Sequence, residues 1–164
     1  MGAPRTRRGR MLLAAAVITA GLTAGCTQGA WVGESPPGAG VQAEAADAKV
    51  RNLMIISDDQ GQAVLLGGVA ATEPVTLIGV TIAVIHDDGT LGEATGIDLN
   101  QEIGAEGLFL FEPEALQFED SELQLGRTAQ VDVVFDDGRR VSLEVPIYSS
   151  EHPDYAESWS EVYG

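Results

Sequence analysis

The sequence predicts an all-β fold, an antiparallel β-sandwich of about seven strands. Three observations lead to this prediction. Short runs rich in Val, Ile, Leu and Thr follow one another, acidic turns that end in glycine separate several of them, and no segment shows a sustained helical stripe of apolar residues. The predicted domain covers residues 49–148.

Three acidic turns predict hairpins within this domain. They are the segments 58–61 (DDQG), 87–89 (DDG) and 136–138 (DDG). Glycine accepts a positive φ and aspartate bonds to its own backbone, so Asp-Gly pairs between apolar runs are strong hairpin signals. The flanking strands are expected at 50–57 and 62–69, at 75–86 and from 90 onwards, and at 129–135 and 139–148.

The apolar residues alternate with polar ones near the end of the domain. In Val131 to Phe135 and again in Val141 to Val145, every second residue is apolar, which is typical of half-buried strands. Pro146 lacks a ladder donor and is expected at the edge or end of a strand. Met54 lies inside the run Leu53 to Ile56 and is expected in the core.

The N-terminal segment has the pattern of an export signal. Four arginines in the first ten positions precede an apolar run that ends near Ala24, which is shorter than the roughly 20 residues of a spanning helix. The segment from Leu22 to Cys26 (LTAGC) resembles a bacterial lipobox, whose cysteine receives a diacylglyceryl group and becomes the first residue after cleavage. We therefore predict a signal peptide at 1–25 and lipidation of Cys26, with the chain held at the extracytoplasmic face of the cell membrane. The alternative is an ordinary secreted protein.

Residues 26–48 are expected to form a flexible tether after the lipidated cysteine. They are rich in Gly, Ala, Glu and Pro and have no period of 2 or 3.6. Trp31 is the exception in this segment. It is either a membrane-interface aromatic beside the lipid or a specific docking residue.

Residues 149–164 form an acidic tail with aromatic residues four positions apart, at Tyr155, Trp159 and Tyr163. This spacing is compatible with a docking helix that has one aromatic face. Low apolar content at a chain end favours the other interpretation, a disordered tail, and this is the expectation we adopt.

Charge and motif content exclude several classes of function. The formal charge is −16, and without residues 1–25 five basic residues face 25 acidic ones, a charge of −20, which argues against nucleic-acid binding. A lone cysteine excludes an intramolecular disulfide. No nucleophile elbow, phosphate loop or zinc motif is present, and imidazole comes only from His86 and His152, so we expect neither an enzyme nor a cofactor. The paired aspartates of the turns lack the alternating spacing of calcium ligands.

A characteristic order of mostly apolar positions runs through residues 49–148, at Ile97, Leu99, Leu108 to Phe111, Pro113, Leu123 to Gly126, Phe135, Gly138 and Val141 to Pro146. This order resembles the periplasmic copper chaperone family PCu(A)C. The strand Leu77 to His86 is similar to the family's strand that closes on a ligand histidine. The resemblance implies a cupredoxin-like or immunoglobulin-like sandwich, an association with Cu(I) delivery to cytochrome oxidase, and kinship with diverged actinobacterial lipoproteins.

The sequence departs from this family at the metal ligands. Cu(I) is soft and prefers thioether and imidazole donors, which the family supplies as two histidines and two methionines. After the signal peptide this chain has a single methionine, Met54, and Gln117, Phe118 and Glu119 stand where the family's His-x-Met falls by spacing. His86 is the only plausible copper ligand, so we predict no metal site.

These observations leave three hypotheses of different kinds. The leading one is a non-enzymatic, lipid-anchored envelope protein whose sandwich binds a protein partner, linked through the resemblance to the assembly of a respiratory complex. The alternative is a Cu(I) chaperone for cytochrome oxidase, in which His86 would be essential. The third is a hydrolase or sugar-binding module, which would need a deep pocket with convergent polar groups.

Overall fold

The computed structural model describes residues 40–164. The predicted signal peptide, Cys26 and Trp31 lie outside the described residues. Within the described range, no helix has the length and apolar content needed to span a membrane. The elements are β1 (Val41–Ala45), β2 (Ala48–Ser57), β3 (Gln62–Ala71), β4 (Val75–Val84), β5 (Thr95–Ile103), β6 (Gly107–Leu110), a 3₁₀ helix (Pro113–Leu116), β7 (Gln117–Glu119), β8 (Thr128–Phe135), β9 (Arg140–Ser149) and α1 (Ala156–Tyr163).

The nine described strands belong to one sheet, and the all-β prediction is confirmed. Seven of them follow the order β5-β4-β8-β9-β2-β3-β6, while β1 pairs with β2, and β7 pairs with β3 beside β6. All strand pairs are antiparallel except β2 with β9, which run parallel. The strand count is therefore nine where the sequence predicted about seven, because β1 and β7 are too short to give a clear periodic signal.

The predicted hairpins β2–β3 and β8–β9 are present at the acidic turns. Gly61 and Gly138 have φ values of 88° and 83°, which a residue with a Cβ rarely adopts. At the first turn, Oδ1 of Asp58 accepts hydrogen bonds from the backbone N–H groups of Gln60 and Gln62, both at 2.9 Å. The side chain of Asp58 thus supplies an acceptor for two backbone N–H groups of the turn.

Pro146 lies near the point where β9 changes partners. It is opposite Thr128 in the last pair of the β8–β9 ladder, and the parallel pairing with β2 begins at the next residue, Ile147. Because proline has no N–H to donate, a position at the end of a ladder suits it. The expectation of a strand edge or end was nevertheless wrong, because Pro146 lies inside β9, three residues before this strand ends.

The main core lies between the β2–β3 side of the sheet and the β4–β8–β9 side. Val131, Val133 and Phe135 are fully buried in it, as the alternation in β8 predicts. Fully burying a side chain of this size contributes about 1.5 to 3 kcal/mol. Other fully buried members include Leu53, Ile55, Leu65, Leu77, Ile82, Leu116 and Val145.

The structure differs from the predicted tether at its C-terminal end. Residues 41–45 form β1, which pairs with β2, and the N–H of Gly40 donates to Oδ1 of Asn52 at 3.0 Å. The inward residues of β1, which pack against the main core, are Val41, Ala43 and Ala45. Alanine is a weak strand former, so this strand is held by its pairing with β2 rather than by local preference.

The prediction of a disordered C-terminal tail also differs from the structure, which has helix α1 there. Tyr155, Trp159 and Val162 pack over a second, smaller core cluster on the outer face of the sheet. The prediction underweighted the aromatic residues, which bury large areas even in a polar segment. Met54, expected in the core, is buried in this second cluster together with Ile56 and Val64.

Candidate functional site

His86, the only plausible copper ligand in the sequence, lies just beyond β4 at the second acidic turn. Its N–H donates to the carbonyl oxygen of Thr90, and its own carbonyl accepts from the N–H of Gly89, both at 2.9 Å. The imidazole is about one-third exposed, and its Nε2 is 3.7 Å from Oε2 of Glu122. His86 therefore faces one carboxylate across the end of the sheet.

Gly92 is what allows Glu122 to approach His86. The N–H of Gly92 donates to the carbonyl oxygen of Val84 at 2.9 Å, which holds position 92 beside the imidazole. A Cβ at this position would overlap the carboxylate of Glu122 and lie 3.3 Å from Nε2 of His86. The His86–Glu122 contact thus depends on the missing side chain at position 92.

A shallow cavity of about 300 Å³, here called the acidic hollow, lies on the Glu122 side of this contact. Oδ1 of Asp120 accepts a hydrogen bond from the N–H of Glu122 at 2.8 Å, and this fixes the loop after β7. Within residues 40–164, no three His, Cys, Asp or Glu side chains are grouped so that they could hold a metal ion. The hollow is lined by Glu93, Thr95, Glu119, Asp120, Ser121 and Glu122.

The donor set near His86 does not suit Cu(I). A soft cuprous ion is held by thioether and imidazole groups, whereas the neighbour of His86 is a hard carboxylate. Met54 is the single methionine among the described residues and lies in the second core cluster beneath α1. Gln117, Phe118 and Glu119 form β7, where Phe118 is buried and its two neighbours are exposed. The structure brings none of them to His86 as a soft donor.

Aspartate carboxylates at the second and third acidic turns accept hydrogen bonds from residues of the same turn. Oδ1 of Asp88 accepts from both the hydroxyl of Thr90 at 2.7 Å and its N–H at 2.9 Å, and these bonds lower the pKa of the Asp88 carboxyl. The N–H of Arg139 donates to Asp137 at 2.9 Å and similarly lowers the pKa of that carboxyl. Both aspartates therefore act as turn formers, as the sequence predicts.

The surface charge is almost entirely negative. All Asp and Glu residues except Glu34, 24 of the 25, lie in the described range, together with five basic residues. Each of these five already contacts an acidic side chain, so none offers an unpaired positive charge. The contacts are those of Lys49 and Arg51 with Glu44, Arg127 with Asp87, Arg139 with Asp47 and Asp137, and Arg140 with Asp132.

The most exposed large apolar side chains in the described range lie on β6. Leu108 and Leu110 are 62% and 63% exposed. In the sequence these two leucines stand out only as part of Leu108 to Phe111, one of the segments that carry the family resemblance. Residues 108–111 form a continuous apolar run between Glu106 and Glu112, which is typical of a strand with two apolar faces. The sequence therefore does not show that one of these faces is left exposed.

Comparison with solved structures finds PCuAC domains, the family that the sequence resembles. The apo PCuAC domain from PmoF1 is 13% identical, covers 66% of this chain and 99% of that chain, and gives a TM-score of 0.45. The copper-bound PCuAC domain from PmoF2 is 15% identical, covers 66% and 98%, and gives 0.40. The apo PmoF2 PCuAC domain is 13% identical, covers 68% and 97%, and gives 0.41.

At these identities and TM-scores, no ligand, partner or residue role of those domains is assigned to this chain. No family model matches the chain, and no curated protein matches it.

Proposed function

We propose that the chain is a lipid-anchored protein of the cell envelope whose β-domain binds a protein partner and carries out no catalysis. The resemblance to PCu(A)C proteins suggests that this partner belongs to a respiratory assembly. The proposed anchor is Cys26, at the end of a lipobox-like segment. Two or three acyl chains bury enough methylene groups, each contributing about 0.8 kcal/mol, to hold a domain durably at a membrane.

The observation that carries the proposal is the chemistry around His86. The imidazole faces Glu122 at 3.7 Å, and the only described methionine lies beneath α1. A copper carrier needs soft donors that converge on the ion. This domain instead presents carboxylates at that place, which favours a role in contact with another protein over a role in carrying copper.

Membrane fractionation tests the anchor. The full chain and its Cys26→Ser variant are expressed in a bacterium that processes lipoproteins. The wild-type chain is expected in the membrane fraction, and the variant is expected to be released or to keep its unprocessed mass. Membrane retention of Cys26→Ser at the wild-type mass would contradict lipidation at this residue.

Partner binding is tested separately with the lipidated chain. Extraction in mild detergent and affinity capture should retain an envelope protein, identified by mass spectrometry. The variant Leu125→Ser, which removes an exposed leucine outside β6, serves as a control for nonspecific capture through exposed apolar surface. If the wild-type chain retains nothing above that seen with bare resin, partner binding is contradicted.

A further inference from the structure

We propose that the free edge of β6 is the docking site for an extended strand of the partner, with apolar residues at its centre and basic residues at both ends. The site is called the β6 edge and comprises residues 106–112. The inference deepens the partner binding proposed above and rests on it. It uses β-strand addition, in which main-chain hydrogen bonds provide affinity and alternate side chains provide specificity.

The backbone of β6 is available on one side. β6 is the last strand in the sheet order, and β3 is the only described strand that pairs with it. The N–H of Phe111 donates to the carbonyl oxygen of Gly67 at 3.0 Å and continues the β3–β6 register. Because alternate residues of an antiparallel strand point to opposite sides, the N–H and C=O groups of Leu108 and Leu110 point away from β3.

The same two residues provide an apolar surface. Their side chains are the most exposed of the large apolar residues described, and across β3 they lie beside the small residues Ala70 and Gly68. A terminal methyl carbon of Leu110 would lie 3.1 Å from a Cβ placed on Gly68, so the leucine leans over this glycine. Leu108 and Leu110 thus form an exposed apolar surface next to backbone N–H and C=O groups that pair with no described strand. This combination suits the addition of a further strand.

The charges at the ends of the β6 edge define the partner. Glu106 and Glu112 are exposed and flank β6, one just before the strand and the other two residues after its end. Between positions 52 and 126 the chain has 14 Asp and Glu residues and no Lys or Arg. An incoming strand with Lys or Arg at both ends would therefore meet a carboxylate at each end.

The charges also disfavour a second copy of the chain as the occupant. Two copies of β6 paired about a two-fold axis at Phe109 would place Leu108 opposite Leu110, which is favourable. The same register brings Glu106 of each copy close to Glu112 of the other, just beyond the ends of the paired strands. Like charges held close together are destabilising, so these glutamates disfavour self-pairing.

The other end of the sheet lacks this combination. β5 is also a terminal strand, but its exposed positions are Gly96, Asp98, Asn100 and Glu102. A polar face of this kind gives an added strand no apolar contact. The β6 edge is therefore the terminal strand suited to docking.

Two synthetic peptides test the proposal: Lys-Thr-Val-Thr-Val-Thr-Lys and the matched Glu-Thr-Val-Thr-Val-Thr-Glu, both capped at their termini. Binding to the full chain is followed by fluorescence anisotropy, and amide hydrogen exchange locates the contact. We expect saturable binding of the lysine peptide, at least about tenfold weaker binding of the glutamate peptide, and protection of residues 107–111. Equal binding of both peptides, or protection elsewhere, would overturn the proposal.

Charge-reversed variants provide the second arm. The double variant Glu106→Lys/Glu112→Lys should prefer the glutamate peptide. The control Glu144→Lys/Glu151→Lys has the same net charge but is altered on β9 and beyond it, and it should keep the wild-type preference. If both double variants behave alike, only net charge matters and the β6 edge is ruled out. Two further outcomes would also overturn the proposed occupant. One is self-association of the chain in sedimentation together with protection of residues 107–111 in hydrogen exchange. The other is protection of the same residues by neutral phosphatidylcholine vesicles.

Partner capture, repeated with the two double variants, distinguishes a failure of this inference from a failure of the proposed function on which it rests. Loss of the captured partner in Glu106→Lys/Glu112→Lys, with retention in the control, supports the β6 edge. Capture that is equal in all variants leaves partner binding intact and overturns the edge as its site. Absence of a partner with the wild-type chain overturns both.

Discussion

The hydroxyl of Tyr163 donates a hydrogen bond to the carbonyl oxygen of Ala63, 3.0 Å away and 100 positions earlier in the chain. This bond ties the end of α1 to the start of β3. The ring of Tyr163 also lies 4.3 Å, centroid to centroid, from that of Trp159, which packs over the second core cluster. The helix therefore completes the outer face of the sheet, and its contacts have measurable consequences.

Replacing Trp159 should destabilise the domain. Trp159 is partly buried, so Trp159→Ala should lower the free energy of unfolding by about 1 to 3 kcal/mol, less than for a fully buried tryptophan. Urea unfolding followed by circular dichroism measures the change. Glu157→Ala, at an exposed position of the same helix, is the control and should change the free energy by less than about 0.5 kcal/mol. Equal effects of the two substitutions would show that α1 does not pack on the sheet.

Alkaline pH should release α1. Burial raises the pKa of Tyr163 above its ordinary value of 10.0, and the bond to Ala63 also needs the phenol proton. A group whose pKa is raised by folding stabilises the fold below its unfolded pKa, and this stabilisation is lost as the pH rises through the folded pKa. Stability should therefore fall above about pH 10, as measured by denaturant titration at several pH values. Tyr163→Phe should weaken this decline; an identical decline would assign it to other groups.

Substitution of Gly92 should separate Glu122 from His86 at little cost in stability. In Gly92→Ala the new Cβ displaces the end of a flexible side chain, so the free energy of unfolding should change by less than about 1 kcal/mol. The imidazole resonances of His86 should shift in NMR spectra. Gly96→Ala, where a Cβ meets nothing within 4 Å, is the control. Unchanged His86 resonances in Gly92→Ala would contradict the described contact.

Arg139 should matter more for stability than Arg127. Arg139 contacts Asp137 and, at 2.7 Å, Asp47, and its guanidinium lies 5.6 Å from the ring centre of Phe135. Arg127 contacts one exposed carboxylate. Arg139→Met should lower the free energy of unfolding by about 1 kcal/mol, and Arg127→Met by less than about 0.5 kcal/mol. Thermal unfolding at low and high salt measures both, and the reverse order would contradict this ranking.

The strands with strong local signals were predictable from the sequence. The alternation of apolar and polar residues correctly predicted that Val131, Val133 and Phe135 point into the core. The acidic turns correctly predicted the two hairpins at Gly61 and Gly138. These features depend on residues close together in the chain. The parallel pairing of β2 with β9 was not predictable in this way, since it joins positions about 90 residues apart and leaves no local pattern.

The candidate site was predictable only in part. The sequence identified His86 and the lack of soft donors, but the approach of Glu122 depends on Gly92 and on a loop that folds back from β7. The helix at the C-terminus was missed for a related reason. Its stability comes from packing on Met54, Ile56 and Val64 rather than from its own composition.

A competition titration with Cu(I) tests most directly whether this domain works without carrying copper. The full chain, the His86→Ala variant and a calibrated cuprous chelator are mixed under anaerobic conditions, and the chelator's absorbance reports the copper it retains. We predict that the wild-type chain and the variant remove equally little copper from the chelator. Stoichiometric, sub-micromolar binding by the wild-type chain that is lost in His86→Ala would contradict the account.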